Sequence, residues 1–141
     1  MTKPTYFTLE ELLTSSVARQ KSIENLPSWE VVNNLLELGL FLDDIRKEWG
    51  SGIKVTSGYR NEKLNNAVGG VKNSRHMSGD AADIYPSNND FTGFVKFLKT
   101  YMADKSYDQC IIEKNSKGGR WVHVGLWSPT HTQRKMLFNL G

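Results

Sequence analysis

With 141 residues, 18 Lys and Arg against 15 Asp and Glu, and a formal net charge of +3, the chain has the size and balance of one globular domain. Such a length buries roughly two thirds of the surface that the unfolded form exposes, so folding needs no disulfide scaffold. The one cysteine, Cys110, excludes an internal disulfide and a cysteine-rich metal knuckle, so any metal must be held by histidines and carboxylates.

The first element is announced by Thr8-Leu9-Glu10-Glu11, a capping box in which the Thr8 hydroxyl and the Glu11 carboxylate each satisfy the other's free backbone N–H. Thr14 to Pro27 is polar and reads as irregular chain. Ser28 then caps a long helix in which Val31, Leu35, Leu38, Leu42, Ile45 and Trp49 recur at alternating intervals of four and three, a stripe that must be buried. Gly50 is placed to end it in the left-handed conformation.

Ile53 to Thr56 alternates as a strand does, and Ser57-Gly58-Tyr59-Arg60 turns out of it. A helical turn over Asn61 to Asn66 leads to Gly69-Gly70 and a loop carrying Ser74, Arg75 and His76. Ala81 to Tyr85 is expected to be a second strand. Asn88-Asn89-Asp90 caps a helix with a second apolar stripe, Phe91, Phe94, Val95, Leu98, Tyr101 and Met102. Tyr107 to Glu113 and Trp121 to Leu126 read as two strands joined by the turn-rich Lys114 to Gly119. Short connections between these elements predict an α+β fold, a single domain over residues 1–141 with helices packed on a small antiparallel sheet.

The chain has three histidines, His76, His123 and His131. A catalytic zinc commonly takes three protein ligands from histidine and carboxylate and leaves a position open. His76 and Asp83 are separated by six residues, Met77 to Ala82, small and flexible enough to bring imidazole and carboxylate to one point. His123 lies on the face of its strand that Trp121 and Gly125 share, opposite Val122, Val124 and Leu126, so it need not join the core. A lone strand histidine is also what a purely structural residue looks like. His76, in a loop of residues that do not build cores, has no such explanation. His131 sits in a polar run and is expected at the surface.

Ser57-Gly58-Tyr59-Arg60, Asn65, Gly69-Gly70, the run Ser74-x-His76-x-x-Gly79-x-Ala81-x-Asp83, and Trp121-Val122-His123-Val124 together resemble the zinc D-alanyl-D-alanine carboxypeptidase family. That family includes phage endolysin peptidases and shares its fold with the Hedgehog signalling domain. The similarity runs from about Phe7 to Leu137. It implies a zinc peptidase with one zinc ion on His76, Asp83 and His123. It also implies that Arg60 stabilises a developing oxyanion or holds a peptide carboxylate, and that Ser74 lines the site and contacts substrate.

One position departs from the pattern. Many members place a glutamate, the general base, three residues before the last histidine, and here that position is Arg120. If Glu113 pairs near Trp121 across the hairpin, Glu113, Ile111 and Gln109 share a sheet face with His123, and Glu113 becomes the candidate base. An exposed carboxylate at a strand end is the alternative reading of Glu113. Asp80 and Asp108 are weaker candidates for the base. Tyr59, Trp121 and Trp127 could form an aromatic rim that grips substrate, although Tyr59 and Trp121 read more readily as core.

The function expected from these residues is hydrolysis of peptide bonds in peptidoglycan stem peptides or cross-links, with a D-Ala-D-Ala or L-Ala-D-Glu bond as target by resemblance. The alternative is a non-catalytic, zinc-stabilised binding module for cell wall or protein, for which the missing glutamate argues. Nucleic acid is not an expected partner, because the basic residues are scattered and form no stripe interleaved with aromatics. No stretch approaches a membrane span, and the N-terminus lacks the apolar run of a signal peptide. Synthesis in the cytoplasm is therefore expected, as a monomer that reaches the wall after release or as part of a phage.

Overall fold

A helix of 21 residues, α3 (Trp29–Trp49), is the scaffold against which the remaining elements are placed. The computed structural model describes residues 3–126. Ser28 caps α3 by accepting the Val31 N–H at 3.2 Å, and Gly50, at φ 76°, closes it with its N–H on the Arg46 carbonyl. Leu35, Leu38, Leu42 and Ile45 are fully buried along the stripe that the spacing predicts.

Before it come α1 (Leu9–Leu13) and α2 (Ser16–Gln20), and after it β1 (Ile53–Ser57), α4 (Glu62–Ala67), β2 (Ala81–Pro86), α5 (Phe91–Tyr101), β3 (Gln109–Lys114) and β4 (Arg120–Gly125). The capping box at Thr8 and Glu11 is formed in full. The existence of α2 corrects the reading of Thr14 to Pro27 as wholly irregular. Ser15 caps it, accepting the Ala18 N–H at 3.1 Å, and Ala18 is buried beneath it. Five residues are too few for an apolar periodicity to announce.

The sheet is antiparallel throughout, in the order β1-β2-β4-β3. Its register decides which residues meet. Ile84 pairs with Val122 and Ala82 with Val124, and this face, with Cys110, packs on the helices and the phenylalanines of α5. Side chains alternate, so the opposite face receives Asp83 directly across from His123. On the next strand Ile111 pairs with His123, Glu113 with Trp121 and Gln109 with Gly125, in unbroken register. The one irregularity in the sheet lies at the other edge, between Val55 and Ser57 of β1.

Candidate active site

Four loops and strand faces converge on the polar side of the sheet. A 3-10 turn, Arg75–Met77, carries His76, and Ser74 caps it by accepting the His76 N–H at 3.2 Å. The β1 to α4 turn carries Arg60, whose N–H is bonded to the His76 carbonyl at 3.0 Å. That turn is pinned from both sides. Asn25 donates to the carbonyls of Leu13 and Tyr59 at 3.2 and 2.8 Å and accepts from the Asn61 N–H at 2.9 Å. Gly58 lies so close to α1 that a Cβ on it would stand 2.1 Å from the Leu12 carbonyl oxygen, which only glycine permits.

His76, Asp83 and His123 are all buried, and one ligand atom from each lies within 4.8 Å of the others. Their outer partners fix which atoms those are. His76 Nδ1 is 2.7 Å from the Gly58 carbonyl, which can only accept, so Nδ1 carries the hydrogen and Nε2 keeps its lone pair. His123 Nε2 is 2.8 Å from Gln109 Oε1 and donates to it, leaving Nδ1 as the lone pair. These two inner nitrogens lie 3.2 and 3.1 Å from one oxygen of Asp83, Oδ1. Three electron-pair donors thus face one another in a buried place. A cation satisfies them, or added protons on the rings do.

The donor set, two imidazoles and a carboxylate backed by a carbonyl and an amide, fits zinc. With protonated rings, burial works to raise the Asp83 carboxyl, but hydrogen bonds from His123 and His76 and the charge on those rings outweigh it and hold its pKa at about 2.

The cleft over this cluster has a volume of about 820 Å³ and is lined by Arg60, Ser74, Glu113 and Trp121 among others. The Arg60 Nη2 donates to Ser74 Oγ at 3.4 Å, while its Nε is buried and has no hydrogen-bond partner among the described residues. Burial lowers the Arg60 pKa, and the charges of Asp83 and Glu113 work against that, so the guanidinium lies within the field of both carboxylates. Trp121 donates its indole N–H to Glu113 Oε1 at 2.9 Å.

Trp121 therefore belongs to the cleft side of the hairpin, which corrects the reading that favoured the core for it, and the strand alternation that places His123 is the reason. Tyr59, 7% exposed, is part of the core. Trp127 and His131 lie outside the described residues.

Asp80 and Asp108 are both committed to Arg75. This arginine is 6% exposed, and its Nε lies 3.2 Å from Asp80, its Nη1 on Asp108 and its Nη2 on the Leu126 carbonyl. The weaker candidates for proton transfer thus hold the His76 turn to the ends of β3 and β4 instead. Arg120 faces away from the cleft, its guanidinium 4.7 Å from the centre of the Phe91 ring. In an uninterrupted strand, residue 120 shares the face of Val122 and Val124, so a carboxylate there would point away from His123. Gln109, the Gly58 carbonyl and Arg75 are the parts of the site that sequence reasoning did not assign. For Gln109 the signal was its place on the His123 face; for the Gly58 carbonyl and Arg75 there was none.

Comparison with protein-family models matches residues 5–125 to one described as peptidase M15. A search of the curated proteins finds no match. Among the described residues no helix is long and apolar enough to cross a membrane.

Proposed function

From the premise that this chain belongs to the peptidase M15 family and is a zinc metallopeptidase, we propose that it hydrolyses peptide bonds in the stem peptides or cross-links of peptidoglycan. The activity takes the form of a D,D-carboxypeptidase or of an L-alanyl-D-glutamate endopeptidase. The observation that carries the reading is the convergence of His76 Nε2, Asp83 Oδ1 and His123 Nδ1 under a cleft that also holds a carboxylate, Glu113, and a half-bonded guanidinium, Arg60.

In this reading His76, Asp83 and His123 hold one zinc ion. Bound zinc supplies Lewis-acid polarisation of the scissile carbonyl and makes water acidic enough to attack near neutral pH. The remaining work falls to the protein's own groups. Glu113, held through Oε1 by the Trp121 indole, takes a proton from the attacking water at Oε2 and returns it to the leaving amine. Arg60, which lines the cleft, presents the open edge of its planar cation to the carbonyl oxygen as charge develops there, or to a terminal carboxylate of the peptide. Ser74 holds the guanidinium in place and, with Trp121, contacts the substrate.

The missing glutamate before His123 is what argues for a non-catalytic module; the place of Glu113 in the cleft supports the catalytic reading against it, and the stacking on Phe91 gives Arg120 a packing role. The protein would act as a monomer on the wall, after release from the cytoplasm or as a phage component.

Mass spectrometry of purified peptidoglycan after incubation with the protein, with and without chelator, tests this. New peptide termini that disappear with chelator and in a His76→Ala variant are expected, and they identify the bond. Unchanged muropeptides from folded, metal-loaded protein would overturn the proposal in favour of a binding module.

A further inference from the structure

Gln109 sits at the start of β3, across from Gly125 and beside His123. Its Oε1 lies 2.8 Å from His123 Nε2, the nitrogen that points away from Asp83. The space it occupies is shaped for it. A Cβ on Gly125 would stand 3.2 Å from Gln109 Oε1 and 3.5 Å from its Cβ, so a side chain there would crowd the amide. Gly125 has an ordinary backbone conformation, so the glycine serves room and not a turn.

We infer that Gln109 is a positioning residue that sets the tautomer and the ring angle of His123. An imidazole offers one lone pair when neutral, and the hydrogen goes to whichever nitrogen finds the acceptor. His76 has a backbone carbonyl for this purpose, the Gly58 oxygen. His123 depends on a side chain, and the amide oxygen of Gln109 is the acceptor that keeps Nε2 protonated and turns Nδ1 toward Asp83. Without it the hydrogen can move to Nδ1, where it blocks ligation, and the ring loses the bond that fixes its angle. Because an amide also has an N–H face, the orientation of Gln109 matters: rotated by half a turn it would donate to Nε2 and force the wrong tautomer. This inference rests on the reading of His123 as a metal ligand, and is independent of which bond the enzyme cuts.

The test has two parts that do not depend on turnover. Long-range proton–nitrogen NMR on the zinc-loaded wild-type protein should show the His123 hydrogen on Nε2, protected from exchange by the Gln109 amide oxygen; a hydrogen on Nδ1, or an unprotected one on Nε2, would overturn the inference without any variant. Zinc affinity is then measured by competition with a chromophoric chelator. Gln109→Leu should weaken it by about 10- to 100-fold and lose the protected Nε2 proton signal, while Gln109→Glu, which keeps an acceptor, should bind within a few-fold of wild type. A Gln109→Leu variant with wild-type affinity and tautomer would overturn the positioning role. His123→Ala is the separate control: if it too leaves affinity unchanged, the ligand reading fails and this inference with it.

Discussion

The Trp121 indole N–H donates to Glu113 Oε1 at 2.9 Å across a hairpin whose register pairs the same two residues. One carboxylate oxygen is thereby held and the other left to exchange protons. Glu113→Gln keeps the shape and removes the basicity, so kcat should fall by about 10²- to 10⁴-fold with metal content unchanged. Trp121→Phe, which deletes one hydrogen bond, should lower kcat by roughly fivefold, equivalent to about 1 kcal/mol. Full turnover by the Glu113→Gln variant would remove Glu113 from the mechanism.

Arg120 lies over Phe91, on the core side of β4. Arg120→Ala should lower stability by about 0.5–1 kcal/mol through the lost cation–π contact and leave kcat at the wild-type level. Urea unfolding and steady-state kinetics on the same preparation measure both. A large loss of kcat at unchanged stability would place Arg120 in the reaction after all.

The elements that strong periodicity announces were legible before the structure. The α3 stripe, the cap at Ser28, the Gly50 stop and the four strands follow from spacings of three, four and two. The cluster of His76, Asp83 and His123 was legible for a different reason: with few histidines and one cysteine, the candidates could be counted, and alternation put His123 opposite the valines. What holds these side chains in place was not legible. The Gly58 carbonyl reaches His76 from 18 residues away and Asp108 reaches Arg75 across 33, and neither separation has a period. Arg75 looked like a loop cation, and its burial is visible once Asp80, Asp108 and the Leu126 carbonyl surround it.

That surrounding predicts what removing Arg75 does. Arg75→Met leaves Asp80 and Asp108, 6% and 0% exposed, without their shared cation. Stability should drop by about 3–5 kcal/mol, as expected when one partner of a buried ion network is deleted. Chemical denaturation of the metal-free protein reads this out, and a loss below about 1 kcal/mol would mean the network contributes little.

Gly58→Ala tests the close approach of the Arg60 turn to α1. Its new methyl group would meet the Leu12 carbonyl at 2.1 Å, and a backbone oxygen cannot swing aside. A loss of about 1–3 kcal/mol is expected from overpacking. The same shift displaces the Gly58 carbonyl from His76 Nδ1, so zinc affinity should fall too. Unchanged affinity in a destabilised protein would show that the carbonyl is not needed to orient the ring.

Asp83 gives the metal-free protein a pH dependence of definite sign. Burial raises its pKa, but the hydrogen bonds and charges of His123 and His76 prevail, and it is lowered from 3.8 to about 2. A group depressed by folding stabilises the native state above its unfolded value, and that contribution is lost as pH falls toward the folded one. The difference corresponds to roughly 2 kcal/mol, present in full above about pH 4 and gone near pH 2. Chelator-treated wild type should therefore lose about 2 kcal/mol more than Asp83→Asn between pH 5 and pH 2, measured by urea unfolding at each pH. Parallel curves for the two proteins would show that the imidazoles do not hold the carboxylate when the metal is gone.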